Sequence, residues 1–115
     1  MRLPTSVRIL VCTQPYDLRR SFDGLALAAR TLLGEDPQSG AIFAFANKRM
    51  TRLKLLWWDR NGYCLLYKRL HQARVKLPKT ADPTKSSVAI DSAELGSLLL
   101  GVTCDEISKR RRRSA

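Results

Sequence analysis

The segment from Arg52 to Leu77 constrains the fold more than any other, because it reads as a β-hairpin with a legible register. Two runs rich in Leu, Trp and Tyr, Leu53–Trp58 and Tyr63–Tyr67, flank a polar turn that ends in Asn61-Gly62. Asn-Gly is favoured where the backbone must take positive φ. A two-residue loop at Asn61-Gly62 and a four-residue loop from Asp59 to Gly62 sort the side chains in the same way, since strand residues alternate between faces. One face carries Leu53, Leu55 and Trp57 with Cys64, Leu66 and Lys68, and is expected to meet a core. The other carries Arg52, Lys54, Leu56 and Trp58 with Tyr63, Leu65, Tyr67 and Arg69. It is basic at the open end and aromatic near the turn. A three-residue loop with a bulge would break this sorting. Arg74-Val75-Lys76-Leu77 alternates too, and is expected to add a third strand whose Arg74 and Lys76 extend the basic face.

Arg52 and Arg69 then lie close on one surface, where like charges repel. A polyanion laid across that face would relieve the repulsion. The competing reading is a solvated strand face whose cations guard a sheet edge against aggregation.

The net charge of +11 over 115 residues is unevenly spread. Residues 41–80 hold ten Lys or Arg against Asp59 alone, whereas residues 1–40 and 81–115 each carry only +1. The surplus coincides with the hairpin. A basic excess gathered on one face is the electrostatic footprint of a nucleic-acid binder. An anionic membrane surface fits less well, because no basic amphipathic helix accompanies the charge.

A chain of this length forms one domain, expected over residues 1–105, followed by a basic tail, 106–115, expected to be disordered. No apolar run approaches the ~20 residues that span a bilayer, and the N-terminus lacks a signal-peptide core, so a cytoplasmic location is expected. Cys12, Cys64 and Cys104 are scattered, and the single His71 cannot complete a zinc set. Free thiols are expected, with Cys12 and Cys64 as small core residues inside strands.

Around the hairpin, Val7–Cys12 and Ala41–Phe45 read as strands, with Phe43 and Phe45 on one face and Ile42 on the other. Asp17 is the expected N-cap of a helix whose apolar stripe is Leu18, Phe22, Leu25, Ala29 and Leu32, with Gly34 past its end. Gly24 inside that helix points to something packed closely against it. Asn47-Lys48-Arg49 is a basic turn into the hairpin, and Pro78–Ser87 a loop. Val88–Ile90 adds a brief strand. Asp91 and Glu94 form a capping box for a second helix with Leu95, Leu98, Leu99 and Val102 inward. The fold class expected is α+β: a single domain with a mainly antiparallel sheet, and two helices on its apolar face.

Several blocks then occur in order: Arg19-Arg20-Ser21-Phe22-Asp23-Gly24-Leu25, Asp36-Pro37-Gln38-Ser39-Gly40, Lys54-Leu55-Leu56-Trp57-Trp58-Asp59, Lys68-Arg69-Leu70 and Pro78. From Leu3 to Val102 the chain resembles the accessory protein from the second reading frame of type sixty-six insertion sequences, often labelled TnpB. It does not resemble the RNA-guided nuclease that shares the label. Where that family often has an aromatic pair before the proline, this chain has Val75 and Leu77, which remain apolar and alternate. The resemblance implies a protein that assists transposition beside a separate, larger transposase. It implies no catalytic residues.

The residues themselves offer no clustered carboxylates for two-metal chemistry. Asp17 reads as a cap and Asp59 as a turn former, while Asp23 could pair with Arg19 or Arg20. The expectation is a non-enzyme with no cofactor, no metal and no small-molecule substrate. The expected partners are DNA and the transposase of the same element. Lys54, Arg69, Arg74 and Lys76 would contact phosphates, flanked by Lys48, Arg49 and Arg52, with Tyr67 or Trp58 stacking on exposed bases. The alternative is an interaction module that docks on the transposase without touching DNA, anchored by Trp58 and Tyr63.

Overall fold

The structure is a computed structural model and describes residues 7–80 and 82–103. Cys104 and the expected basic tail lie outside the described residues. The elements run β1 (Ile9–Cys12), α1 (Phe22–Thr31), β2 (Ile42–Ala46), β3 (Arg52–Asp59), β4 (Gly62–Arg69), β5 (Ala73–Arg74), β6 (Ser87–Ile90), α2 (Ser92–Leu100) and β7 (Val102–Thr103). Five strands form one sheet in the order β4-β3-β2-β1-β6, and β5 pairs with β7 in a small second sheet. All neighbours are antiparallel except β1 and β2. Parallel neighbours need a crossover, which α1 supplies. The fold is α+β, as expected.

The hairpin ladder runs without a bulge from Arg52 opposite Arg69 to Asp59 opposite Gly62. This is the register the four-residue loop implies, closed one step further at the turn. Positive φ falls on Arg60 (55°) and not on Asn61 or Gly62. Gly62 is drawn into the ladder opposite Asp59 instead.

The expected contrast between an apolar and an exposed basic face does not hold, because the sheet is covered on both sides. Leu53 and Leu55 join Ile9, Val11, Ile42 and Ala44 against Leu95 and Leu98 of α2. Leu56, on the other face, is fully buried with Leu10, Phe43 and Phe45 against Leu25, Ala28 and Ala29 of α1. The two helices therefore sit on opposite faces and not together on one. The physical reason is β3's place in the sheet: it has β2 as a second neighbour, and the crossover lays α1 over its outer face. Lys54 is buried with its neighbours, at 7% exposure.

Three local expectations are also corrected. Arg74-Val75-Lys76-Leu77 does not extend the hairpin. Ala73 and Arg74 pair with Thr103 and Val102, and the Val75 N–H donates to the Met50 carbonyl at 2.6 Å. Val75 fills the α2-side core. Asp17 does not cap α1, which begins at Phe22 after Ser21. Its carboxylate accepts the Arg19 backbone N–H two residues on, at 3.0 Å, a turn that competes with helix entry. Asp23, in the first turn of α1, pairs with neither arginine: the two ion pairs of the described residues are Arg19–Asp17 and Arg8–Glu35. Because the helix starts later, its buried residues are Leu25, Ala26, Ala28 and Ala29, whereas Phe22 and Leu32 face out.

The second helix starts as its sequence implies and buries Leu95 and Leu98, but it ends at Leu100, and Val102, expected on its buried stripe, lies in β7. Asp91 Oδ1 accepts the Glu94 N–H at 2.7 Å and the Asp91 N–H donates to Glu94 Oε1 at 3.2 Å. At its other end no basic residue lies in the last turn. Lys68 of β4 reaches over and donates from Nζ to the Leu99 carbonyl at 2.8 Å, meeting the negative end of the helix. Cys12 is buried with its Sγ donating to the Gln14 carbonyl at 3.3 Å, and burial pushes its thiol pKa up. That suits a packing residue, since the thiolate is the reactive form. Cys64 is half-buried.

Gly101 ends α2 at φ 69° and ψ −168°, a combination open essentially to glycine alone. A Cβ there would lie 2.6 Å from the Arg74 carbonyl oxygen. Gly101→Ala is expected to cost about 1–3 kcal/mol from backbone strain alone, and to push the Ala73–Lys76 segment off its seat. A urea titration checks this, and an unchanged midpoint would show that the small β5–β7 sheet yields without cost.

Candidate nucleic-acid interface

The turn between β2 and β3 is built by one side chain. Asn47 Oδ1 accepts the backbone N–H groups of Thr51 (2.9 Å) and Arg52 (3.0 Å), and its Nδ2 donates to Thr51 Oγ1 (3.2 Å). The Met50 N–H closes back on the Asn47 carbonyl at 3.0 Å, with Met50 at φ 59°. Lys48 and Arg49 are thereby held exposed at the tip. The chain leaving the hairpin passes alongside. Leu70 donates its N–H to the Thr51 carbonyl and Val75 to that of Met50, which brings Arg74 and Lys76 beside Lys48 and Arg49.

A ridge with a groove on each side results. The first groove, of about 890 Å³, lies on the α1 side and is lined by Pro15–Arg19, Asn47–Arg49, Arg52, Lys54 and Tyr67. The second, of about 790 Å³, is lined by Lys48–Thr51, Arg74, Val75, Lys76 and Val102. Together they draw on seven cations, Arg19, Lys48, Arg49, Arg52, Lys54, Arg74 and Lys76, and one acid, Asp17. Asp17 is already engaged: Arg19 donates to both of its carboxylate oxygens. Those bonds hold its pKa down at about 2, so it stays ionised and paired at any ordinary assay pH.

The floor of the first groove is one cross-strand row. Phe45 stands opposite Lys54 and Lys54 opposite Tyr67. The Tyr16 ring packs on Phe45 with centroids 5.5 Å apart. Lys54 Nζ lies 4.9 Å from the Tyr67 centroid and donates to the Arg20 carbonyl at 3.0 Å. Gly24 makes room for that carbonyl's residue: a Cβ on Gly24 would come within 2.8 Å of Arg20 Cβ. The close packing its position in the helix implied is with Arg20.

The expected site residues are thus divided. Lys48, Arg49, Arg52, Lys54 and Tyr67 come together in the first groove, and Arg74 and Lys76 join Lys48 and Arg49 in the second. Arg69 is exposed opposite Arg52 but lines neither groove. Lys54 is a buried residue on the floor of the first groove, not an exposed cation on an open strand face. Trp58 stands four positions along β3 from Lys54, about 13 Å away at strand spacing, and packs edge-on against Tyr63 at 5.0 Å. Tyr16, Arg19 and Asn47 are groove residues that the sequence reading did not assign to the site. The Asp17-x-Arg19 spacing and an Asn opening a Lys-Arg turn were the available signals.

Among the described residues no three His, Cys, Asp or Glu side chains converge on a metal position, and no helix is long and apolar enough to cross a membrane.

The match to the IS66 Orf2-like proteins runs over residues 7–109. The chain belongs to this family, which gives it an accessory role in the transposition of insertion sequences. It is also similar to two proteins of Sinorhizobium fredii (strain NBRC 101917 / NGR234). It is 32% identical to "Uncharacterized protein y4jC" over 104 residues, 90% of this chain and 86% of that one. It is 34% identical to "Uncharacterized protein y4hO" over 97 residues, 84% and 82%. No solved structure matches.

Proposed function

We propose that this chain is a non-catalytic DNA-binding factor of its element, holding phosphates with the ridge and grooves at the β2–β3 turn. The observation that carries the reading is six cations converging on one end of the sheet, beside an acid, Asp17, that is already paired with a seventh, Arg19. The family's accessory role agrees with it, and no strand-transfer chemistry is assigned to this chain. Held cations of this kind supply affinity that is nearly independent of sequence and steeply dependent on salt. Binding of labelled duplex DNA, followed by fluorescence anisotropy, should weaken with a slope of about −0.9 in log K per phosphate contacted. For four to six contacts the loss between 50 and 200 mM salt is roughly two to three decades. Absence of binding at 50 mM, or a flat slope, would sink the reading.

A second reading, docking on the transposase without DNA contact, is favoured by one observation. Phe22 and Leu27 on α1, and Leu32 just past its end, are 42–54% exposed, apolar area that docking on a partner would remove from water. An apolar interface of that kind would be insensitive to salt.

A further inference from the structure

Lys54 presents an unusual balance of charge. It is 7% exposed, yet neither ion pair of the described residues involves it. An ammonium carries three donors; the Arg20 carbonyl takes one of them, and one face of the Tyr67 ring lies 4.9 Å from the ammonium, which leaves no anion among the described residues paired with the charge. A cation withdrawn from water gains from an anion brought to it, and Asp17, the acid of this groove, is held by Arg19.

The shape of the groove selects among anions. Its volume of about 890 Å³ lies in the range of about 300–1,000 Å³ typical of small-molecule sites, room for a nucleotide or two. Its floor sets Lys54 between the half-buried Tyr16 and Tyr67, which is 52% exposed. A duplex keeps its bases stacked inside and offers phosphates alone. An unpaired strand offers a phosphate and a free base face together, and aromatic side chains beside a basic groove are the common platform for that combination.

We propose that the first groove holds an unpaired nucleotide of a DNA strand, its phosphate drawn to Lys54 and Arg52 and its base stacked on Tyr67, while the Lys48-Arg49 ridge takes phosphates of an adjoining duplex. This rests on the DNA-binding reading above and adds the form of DNA that is bound.

The test measures anisotropy with the full chain at 50 mM salt, using labelled oligothymidine and a blunt duplex of equal length, with thymidine monophosphate as competitor. Tyr67→Leu keeps the bulk at this edge-strand position and removes the aromatic face. It should weaken the single strand about ten- to a hundredfold and leave the blunt duplex unchanged, while Tyr67→Phe keeps wild-type affinity for both. Thymidine monophosphate at equal nucleotide concentration should compete poorly. If Tyr67→Leu weakens both DNAs alike, or neither, the inference falls and the DNA-binding reading stands. If the mononucleotide displaces the strand as well as free oligothymidine does, the groove serves a free nucleotide and the inference again falls. If wild-type protein binds neither DNA, both fall.

Discussion

Replacing Lys48, Arg49, Arg74 and Lys76 together by Ser is expected to flatten the salt dependence of duplex binding by about 3.6 in log–log slope, four contacts at about 0.9 each. Wild-type protein should lose roughly two to three decades of affinity between 50 and 200 mM salt, and the variant about one decade or less. All four side chains are exposed and flank a turn whose hydrogen bonds come from Asn47 and the backbone, so the melting curve should hardly move. Surface changes of this kind usually stay within about 0.5 kcal/mol each. Lys54 is left out of the set because it is buried and bonds the Arg20 carbonyl, so its removal would confuse folding with binding. Deleting residues 109–115 is the control, since a basic tail can supply phosphate contacts of its own. If the deletion abolishes binding and the fourfold change does not, the ridge is only scaffold. If neither matters, but Phe22→Ser with Leu27→Ser abolishes association with the transposase, docking is the function.

How much of this was legible in the sequence depends on the range of the interaction concerned. The hairpin register and the α2 capping box are local, and both were readable: alternation and a polar turn fix the first, and an Asp91/Glu94 spacing fixes the second. The burial of Lys54 is not local. It depends on β2 pairing with the far side of β3 and on α1 crossing over, contacts between residues 34 apart in the case of Lys54 and Arg20. One signal was present and was outweighed by the charges. Leu55-Leu56-Trp57-Trp58 is an unbroken apolar run, the mark of a strand covered on both faces, as is Ile42–Ala46. The basic surplus was correctly placed on residues 41–80, but its geometry came from the turn and not from a strand face. Arg74 and Lys76 reach the site because Val75 hydrogen-bonds to Met50, a partnership that alternation alone assigns to the hairpin.

Phe43→Ala is expected to be the most destabilising single truncation, because Phe43 stands at the middle of the row that joins sheet to α1. Across the strands that row reads Ala89, Leu10, Phe43, Leu56, Leu65, and Phe43 itself is 0% exposed. Its removal leaves a void between β2 and the small side chains of Ala28 and Ala29, which cannot expand to fill it. Losses for buried Phe→Ala run about 3–5 kcal/mol, a large share of the roughly 5–15 kcal/mol that hold a domain folded. At this chain length that corresponds to a fall in melting temperature of about 10–25 °C. Phe22→Ala makes the comparison sharp. Simple periodicity assigns Phe22 to the same buried stripe, but the structure starts α1 at this residue and leaves it 42% exposed, so its loss should stay within about 0.5 kcal/mol. Equal destabilisation by the two variants would mean that α1 presents a different face to the sheet. In that case the Arg20 carbonyl, and with it Lys54, would not stand where the first groove requires them.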